Sequence, residues 1–321
     1  MDGEVSSDAS RSSLASGASV ASENVSYTSG VVLAILGTFL FALKSILIKF
    51  AFAAGMNPTQ LIFLRMTMAV PFYITVLLVD ARWGNHQSHE SLRPRTIARA
   101  MLLGLFGYYL ASYLDICGLA YISAQLERLT LFTYPTMVAL LAWMFLGEQI
   151  TPRILMAIGL SYAGIWLIYG QERSHAEGSN VGIGVMLVLG SALSYSLYLL
   201  FSKPLMQRIG SRRFTSLAMI GSAIFIGLHF VMTESFVNLV QLPGVVFVYG
   251  FALAFVCTVI PSYMINEAIV RIGATRTTVI GTVGPVLTIL LAVVLLAEPT
   301  SIYHFAGVVL AIIGVSLVSV K

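Results

Sequence analysis

Residues 135–148 read PTMVALLAWMFLGE, and residues 285–298 read PVLTILLAVVLLAE. Each segment opens on a proline, crosses a nearly unbroken apolar run and closes on a small residue followed by glutamate. The two lie 150 residues apart. At the same offset Ile122 returns as Ile272, Ala124 as Ala274 and Gly164 as Gly314, while Leu36-Gly37 returns as Leu189-Gly190 at an offset of 153. One proline–glutamate pair recurs by chance; a set recurring in step signals an internal repeat. Outward from these segments, apolar runs fall at 31–54, 59–79, 97–118, 122–146, 153–169, 181–202, 214–233, 245–266, 274–297 and 302–320. A membrane-crossing helix takes ~20 mainly apolar residues. The runs therefore predict ten spans, five in the half 30–170 and five in the half 181–320. A barrel would show period-2 alternation instead, so the expected fold is an all-α integral membrane protein. Five is odd, so the second half enters the bilayer from the opposite face. Inverted repeats of this kind place a solute site near the bilayer midplane, and rocking between the halves gives alternating access.

Composition points the same way. Of 321 residues, 58% are hydrophobic and 10% charged, against about a quarter charged in soluble domains, and the mean hydropathy is +0.89. This excludes a soluble globule and leaves almost no chain for a catalytic domain. Residues 1–29 hold ten serines and too few apolar side chains for a core, so a disordered cytoplasmic tail is expected. With the N-terminus inside, thirteen of the 18 lysines and arginines fall on cytoplasmic segments or chain ends. Arg173 alone falls outside, and Lys44, Lys49, Arg65 and Arg128 lie within spans. The positive-inside rule then puts both termini in the cytoplasm. The same bias accounts for a pI near 9.1 without a nucleic-acid partner. Cys117 and Cys257 sit in apolar runs with neither a disulfide framework nor metal-ligand spacing; neither a metal nor a cofactor is expected.

An ionisable residue inside a span costs roughly 2.5–3.5 kcal/mol, so Lys44, Lys49, Arg65, Asp115, Glu127 and Arg128 must pair or face a cavity. Counting along alternating spans puts all six at similar depth, toward the outside, in the first half. Helical spacing aligns Ser123, Glu127, Thr130 and Tyr134 on span four, and Gly104, Tyr108, Ser112 and Asp115 on span three. It also aligns Ser191, Ser194, Tyr198 and Ser202 on span six, and Thr258, Ser262 and Asn266 on span eight. These stripes are expected to line a central cavity. Four basic residues against two acidic ones leave two positive charges, which a bound anion complements; guanidinium suits carboxylate or phosphate. The expected binding set is Lys44, Arg128, Tyr108, Ser112, Thr130, Tyr134, Ser194, Tyr198 and Ser262. Arg65, Asp115 and Glu127 form either fixed ion pairs or a proton-coupling network. Lys49, near a span end, reads as a snorkelling side chain. Pro135 and Pro285 are either hinges or fixed kinks. The glycines of spans five and ten are close-packing sites, with a homodimer contact there as the alternative. His86-x-x-His89 is a solvated loop pair, and no nucleotide, hydrolase or metalloprotease motif is found.

The helix carrying Pro135 and ending in Gly147-Glu148, its copy with Pro285 and Ala297-Glu298, Arg65 in span two, and Gly159, Gly164, Gly307 and Gly314 resemble the drug/metabolite transporter superfamily, in its EamA-like ten-helix branch. The resemblance covers about 30–320, and Ala297 departs from the more usual glycine. It implies a secondary transporter of small organic metabolites, commonly an exporter, in a bacterial cytoplasmic membrane. The charges narrow the expected solute to an anion or zwitterion. The alternatives are a flippase for an amphiphilic or lipid-linked substrate and a non-transporting receptor or scaffold.

Overall fold

The computed structural model describes residues 4–83, 92–175, 180–272, 277 and 280–319, with most side chains from Tyr27 onward. The expected disordered tail falls, up to residue 26, outside the described side chains. His86, His89 and Arg276 lie outside the described residues.

The helices are α1 (Glu4–Ala53), α2 (Pro58–Trp83), α5 (Pro152–His175), α6 (Val181–Ile209), α7 (Ser211–Thr233), α9 (Gly284–Leu296) and α10 (Ile302–Ser319). Three more are interrupted. In α3, Pro94–Gly104 and Ala111–Leu119 are joined by a π turn over Leu105–Leu110. In α8, Val245–Ala254 and Ile260–Ile272 are joined by a π turn over Phe255–Val259. In α4, Ala124–Leu131 and Tyr134–Leu146 are separated by a break. Prolines open α2, α3 and α5, where their missing N–H has no intrahelical partner to lose. Eight helices are long and apolar enough to cross a membrane, while α9 and the apolar part of α10 (Ile302–Leu317) are shorter, where ten full spans were expected. The chain before α9 lies partly outside the described residues.

α1 packs on α8 and α9, α6 on α3 and α4, α2 on α7, and α5 on α10. Exchanging each helix with the one five places later maps this set of pairings onto itself. The irregularities obey the same exchange. The two π turns begin 150 residues apart, and so do the half-helices that open on Tyr134-Pro135 and Gly284-Pro285. The polar clamps between α2 and α7 follow suit. Asn57 Nδ2 donates to Glu234 Oε1 at 2.7 Å at one end, and Arg213 pairs with Asp80 at the other.

Large apolar side chains such as Trp166, Met186, Met232 and Leu290 are more than half exposed, as a lipid-facing surface requires. Inside, small residues let backbones meet. A side chain on Gly164 would begin 2.4 Å from Gly307 O, and one on Gly314 would begin 2.7 Å from Ala157 O. Gly164, Gly307 and Gly314 are thus used between α5 and α10 of one chain, whereas Gly159 is exposed.

Helix α4 ends on Gly147 at φ +69° and α9 on Ala297 at φ +51°, the only positive φ for a non-glycine residue among the described residues. The departure from glycine is therefore not neutral, because a Cβ is strained in the left-handed region. Ala297→Gly should stabilise the protein by about 1 kcal/mol, read as a higher melting temperature in detergent. The same change at an ordinary helical alanine should lower it.

Candidate functional site

α1, α3 and α4 carry a buried charge cluster. Lys44 Nζ donates to Asp115 Oδ2 at 2.6 Å, and Ser45 Oγ donates to Glu127 Oε2 at 2.7 Å. Asp115 is 1% exposed and Glu127 fully buried. Asp115 Oδ1 and Glu127 Oε1 have no hydrogen-bond partner among the described residues, and the two carboxyl groups lie within electrostatic reach of one another. From α2, Arg65 is buried within electrostatic reach of Asp115. Its Nε and Nη2 lack hydrogen-bond partners. The ion pair on Asp115 is thus made by Lys44, where the sequence pointed to Arg65.

Arg128 is half-buried on α4, and its side chain makes no hydrogen bond or ion pair among the described residues. Its Nη2 lies 3.6 Å from the point where a side chain on Gly284 would begin, and Thr38 Cγ2 lies 3.4 Å from the same point. Gly284 is the first residue of α9. Tyr134, the first residue of the second half of α4, is within electrostatic reach of Arg128. Both half-helices carry their proline in the first turn, so Pro135 and Pro285 stand at the start of a new helix rather than at a kink inside one. First-turn N–H groups there have no intrahelical acceptor.

Several tyrosines meet one another across α3, α4 and α6. Tyr198 Oη donates to Tyr108 Oη at 3.1 Å, and Tyr134 and Tyr198 meet through Tyr195, with ring centroids 5.4 and 5.8 Å apart. Tyr195, four residues from Ser191 and three from Tyr198, shares the serine stripe of α6 but was not in the expected set. The hydroxyls are used differently from expectation. Ser194 Oγ donates to Phe106 O at 2.7 Å, Ser191 Oγ to Ala111 O at 2.7 Å and Ser262 Oγ to Thr258 O at 2.5 Å. They satisfy backbone carbonyls in and beside the π turns. Thr130 Oγ1 is buried without a partner, and Ser112 is half-buried.

The stripe on α3 does not hold as one face. Gly104 meets α7 at Ala218, Tyr108 meets α6 at Tyr198, and Asp115 meets α1 at Lys44. The reason is the π turn between Gly104 and Ala111, which breaks the 3.6-residue count on which the alignment rested.

Lys49 stands apart from the cluster. Its Nζ donates to Ile122 O at 2.5 Å, within electrostatic reach of Glu298 and Glu172. The next residue, Ser123, caps α4 by accepting from Leu126 N at 3.0 Å, and its own N and Oγ donate to Glu172. Glu298 accepts from Ala124 N at 2.9 Å and Gln125 N at 3.4 Å. Glu172 and Glu298 were not foreseen, since they reach this turn from 49 and 174 residues away. Their charges complement Lys49. In the cluster itself the cations Lys44, Arg65 and Arg128 face the carboxyl groups of Asp115 and Glu127, three against two.

The family model for the EamA-like transporter family matches residues 28–170 and again 182–320. The uncharacterized transporter YcbK of Bacillus subtilis (strain 168) is 28% identical over 281 residues, covering 87% of this chain and 88% of that one. The uncharacterized transporter sll1319 of Synechocystis sp. is 24% identical over 319 residues, covering 90% and 93%. A solved structure, described as a crystal structure of a protein, superposes with a TM-score of 0.62 at 17% identity over 90% of this chain and 95% of that one, a likeness of fold alone.

Proposed function

The chain belongs to the EamA-like transporter family, and from that premise we propose that it exports a small metabolite bearing one acidic group, an acid or a zwitterion. It is a multi-pass inner-membrane transporter; the solute and the direction are the proposal. The observation that carries it is Arg128, a half-buried guanidinium with no ion pair among the described residues. It stands beside the first residue of one half-helix and within reach of the first residue of another. Helix starts present N–H groups and a partial positive charge to an anion, and broken helices at a repeat interface are where transporters of inverted-repeat design bind their solutes. The cationic side chains of the cluster outnumber its carboxyl groups, which suits an acidic solute. Tyr108, Tyr134, Tyr195 and Tyr198 wall the site. Lys44, paired with Asp115, and Arg65 set its charge.

Transport proceeds by alternating access between two inverted five-helix repeats, ten spans in all, with both termini in the cytoplasm. The exchange-symmetric packing supports this reading, as do the positions of Pro135 and Pro285, which make the two breaks the hinges. The test is counterflow in proteoliposomes against acidic, zwitterionic, neutral and cationic solutes. Saturable exchange of acidic or zwitterionic solutes is expected. Exchange confined to neutral or cationic solutes would remove the anion site.

A further inference from the structure

We propose that Glu298 is the latch that closes the outer end of the solute path and positions the start of α4, so that the conformation described is closed to the outside. Residues 122–125, the turn into α4, are gripped from three sides. Lys49 of α1 holds Ile122 O, Glu172 of α5 holds Ser123, and the corner between α9 and α10 supplies the rest. There Glu298 takes the amides of Ala124 and Gln125, and Pro299 O accepts from Gln125 Nε2 at 3.3 Å. Lys49 and Glu172 belong to the same half as α4, whereas Glu298 and Pro299 reach it from the other. Theirs is the grip that must open if the halves separate on this side.

The chemistry suits a reversible catch. The first amides of a helix have no intrahelical acceptor, and a carboxylate satisfies them with charge-assisted bonds favoured by the helix dipole. Arg128 lies one turn further along α4, so movement at Ala124 is transmitted to the guanidinium assigned to the solute.

The second observation is the contrast with Glu148, 150 residues earlier. Both glutamates follow a residue in the left-handed region, and their backbones end their helices alike, Glu148 N donating to Ala142 O at 3.4 Å and Glu298 N to Ala292 O at 3.2 Å. Glu298 is nevertheless engaged, while Glu148 is exposed with no side-chain partner among the described residues. Glu298 is thus latched at one end of the molecule, while Glu148 has no such engagement among the described residues.

The inference rests on the transporter reading, and its test needs no solute. Cys257 is buried within electrostatic reach of Lys44, Arg65 and Arg128, so its thiol reports access to the cluster. In a Cys117→Ala background, a membrane-impermeant maleimide should label Cys257 slowly from outside. Glu298→Ala removes two charge-assisted bonds and should raise that rate about tenfold or more, while lowering the rate from inside. Glu298→Gln, which keeps one acceptor, should fall between. Glu148→Ala should leave outside labelling no faster. Each variant is compared as a monodisperse protein. An unchanged rate in Glu298→Ala, an equal rise from both faces, or the same outside rise in Glu148→Ala would overturn the latch. Loss of acidic-solute selectivity with the labelling pattern intact would overturn the solute assignment alone.

Discussion

Replacing Arg128 by alanine should reduce exchange of acidic solutes about a hundredfold, the upper range for loss of a hydrogen-bonded charge, while the protein folds normally. Two consequences of the geometry act together. The variant loses a half-buried guanidinium that has no ion pair within the described residues, and with it a fork of donors matched to a carboxylate. It also leaves only Lys44 and Arg65 facing Asp115 and Glu127, so the cationic side chains no longer outnumber the carboxyl groups. Folding should not suffer, because the Arg128 side chain makes no hydrogen bond among the described residues, and removing an unpaired charge from a span is favourable by insertion scales. Arg128→Lys should recover part of the rate, since the charge returns without the planar fork. Initial counterflow rates for matched acidic and neutral solutes, alongside melting temperatures, check this. An alanine variant that melts normally and exchanges acids at the parental rate would make Arg128 a bystander.

The second large effect is expected at Gly104. A side chain there would begin 2.0 Å from Ala218 O and 2.9 Å from Ala218 Cα, and backbone cannot swing aside as a side chain can. The neighbouring contact is equally tight, since one on Gly221 would begin 2.7 Å from Met101 Cα. Gly104→Val should force α3 away from α7. Overpacking a close interface costs typically about 1–3 kcal/mol, and here it also displaces the half of α3 that leads to Tyr108. Recovery of monodisperse protein should collapse. Gly159→Ala and Gly227→Ala, where nothing among the described residues stands within 4 Å, should express as the parent does and melt no lower, since alanine suits a helix better than glycine. Equal behaviour of all three variants would mean that the α3–α7 approach is not limiting.

Much of this fold could be read from the chain because a membrane enforces long apolar runs. The Pro–Glu segments, the spans and the basic loops all carry signals that survive without any tertiary knowledge. The candidate site was legible in part. Lys44, Asp115, Glu127 and Arg128 announce themselves as charges that lipid would not tolerate, and they do come together. Which cation meets which carboxylate depends on how far a side chain reaches between α1, α2 and α3, and no spacing rule encodes that. The serines misled for a different reason. Ser194 and Ser262 sit on polar stripes, but helix irregularities claim their hydroxyls, and such irregularities are invisible to a 3.6-residue count. Glu298 was noticed as a mark of repetition and not as a ligand for amides 174 residues away.

The π turns carry a history as well as a geometry. A π turn holds one residue more than the α-helix around it and persists as a bulge when an insertion cannot be absorbed. Leu105–Leu110 and Phe255–Val259 start at equivalent places in the two halves. On the reading of two repeats, the extra residue was already present in an ancestral five-helix unit before its gene was doubled. That ancestor would have worked as an antiparallel pair of identical chains.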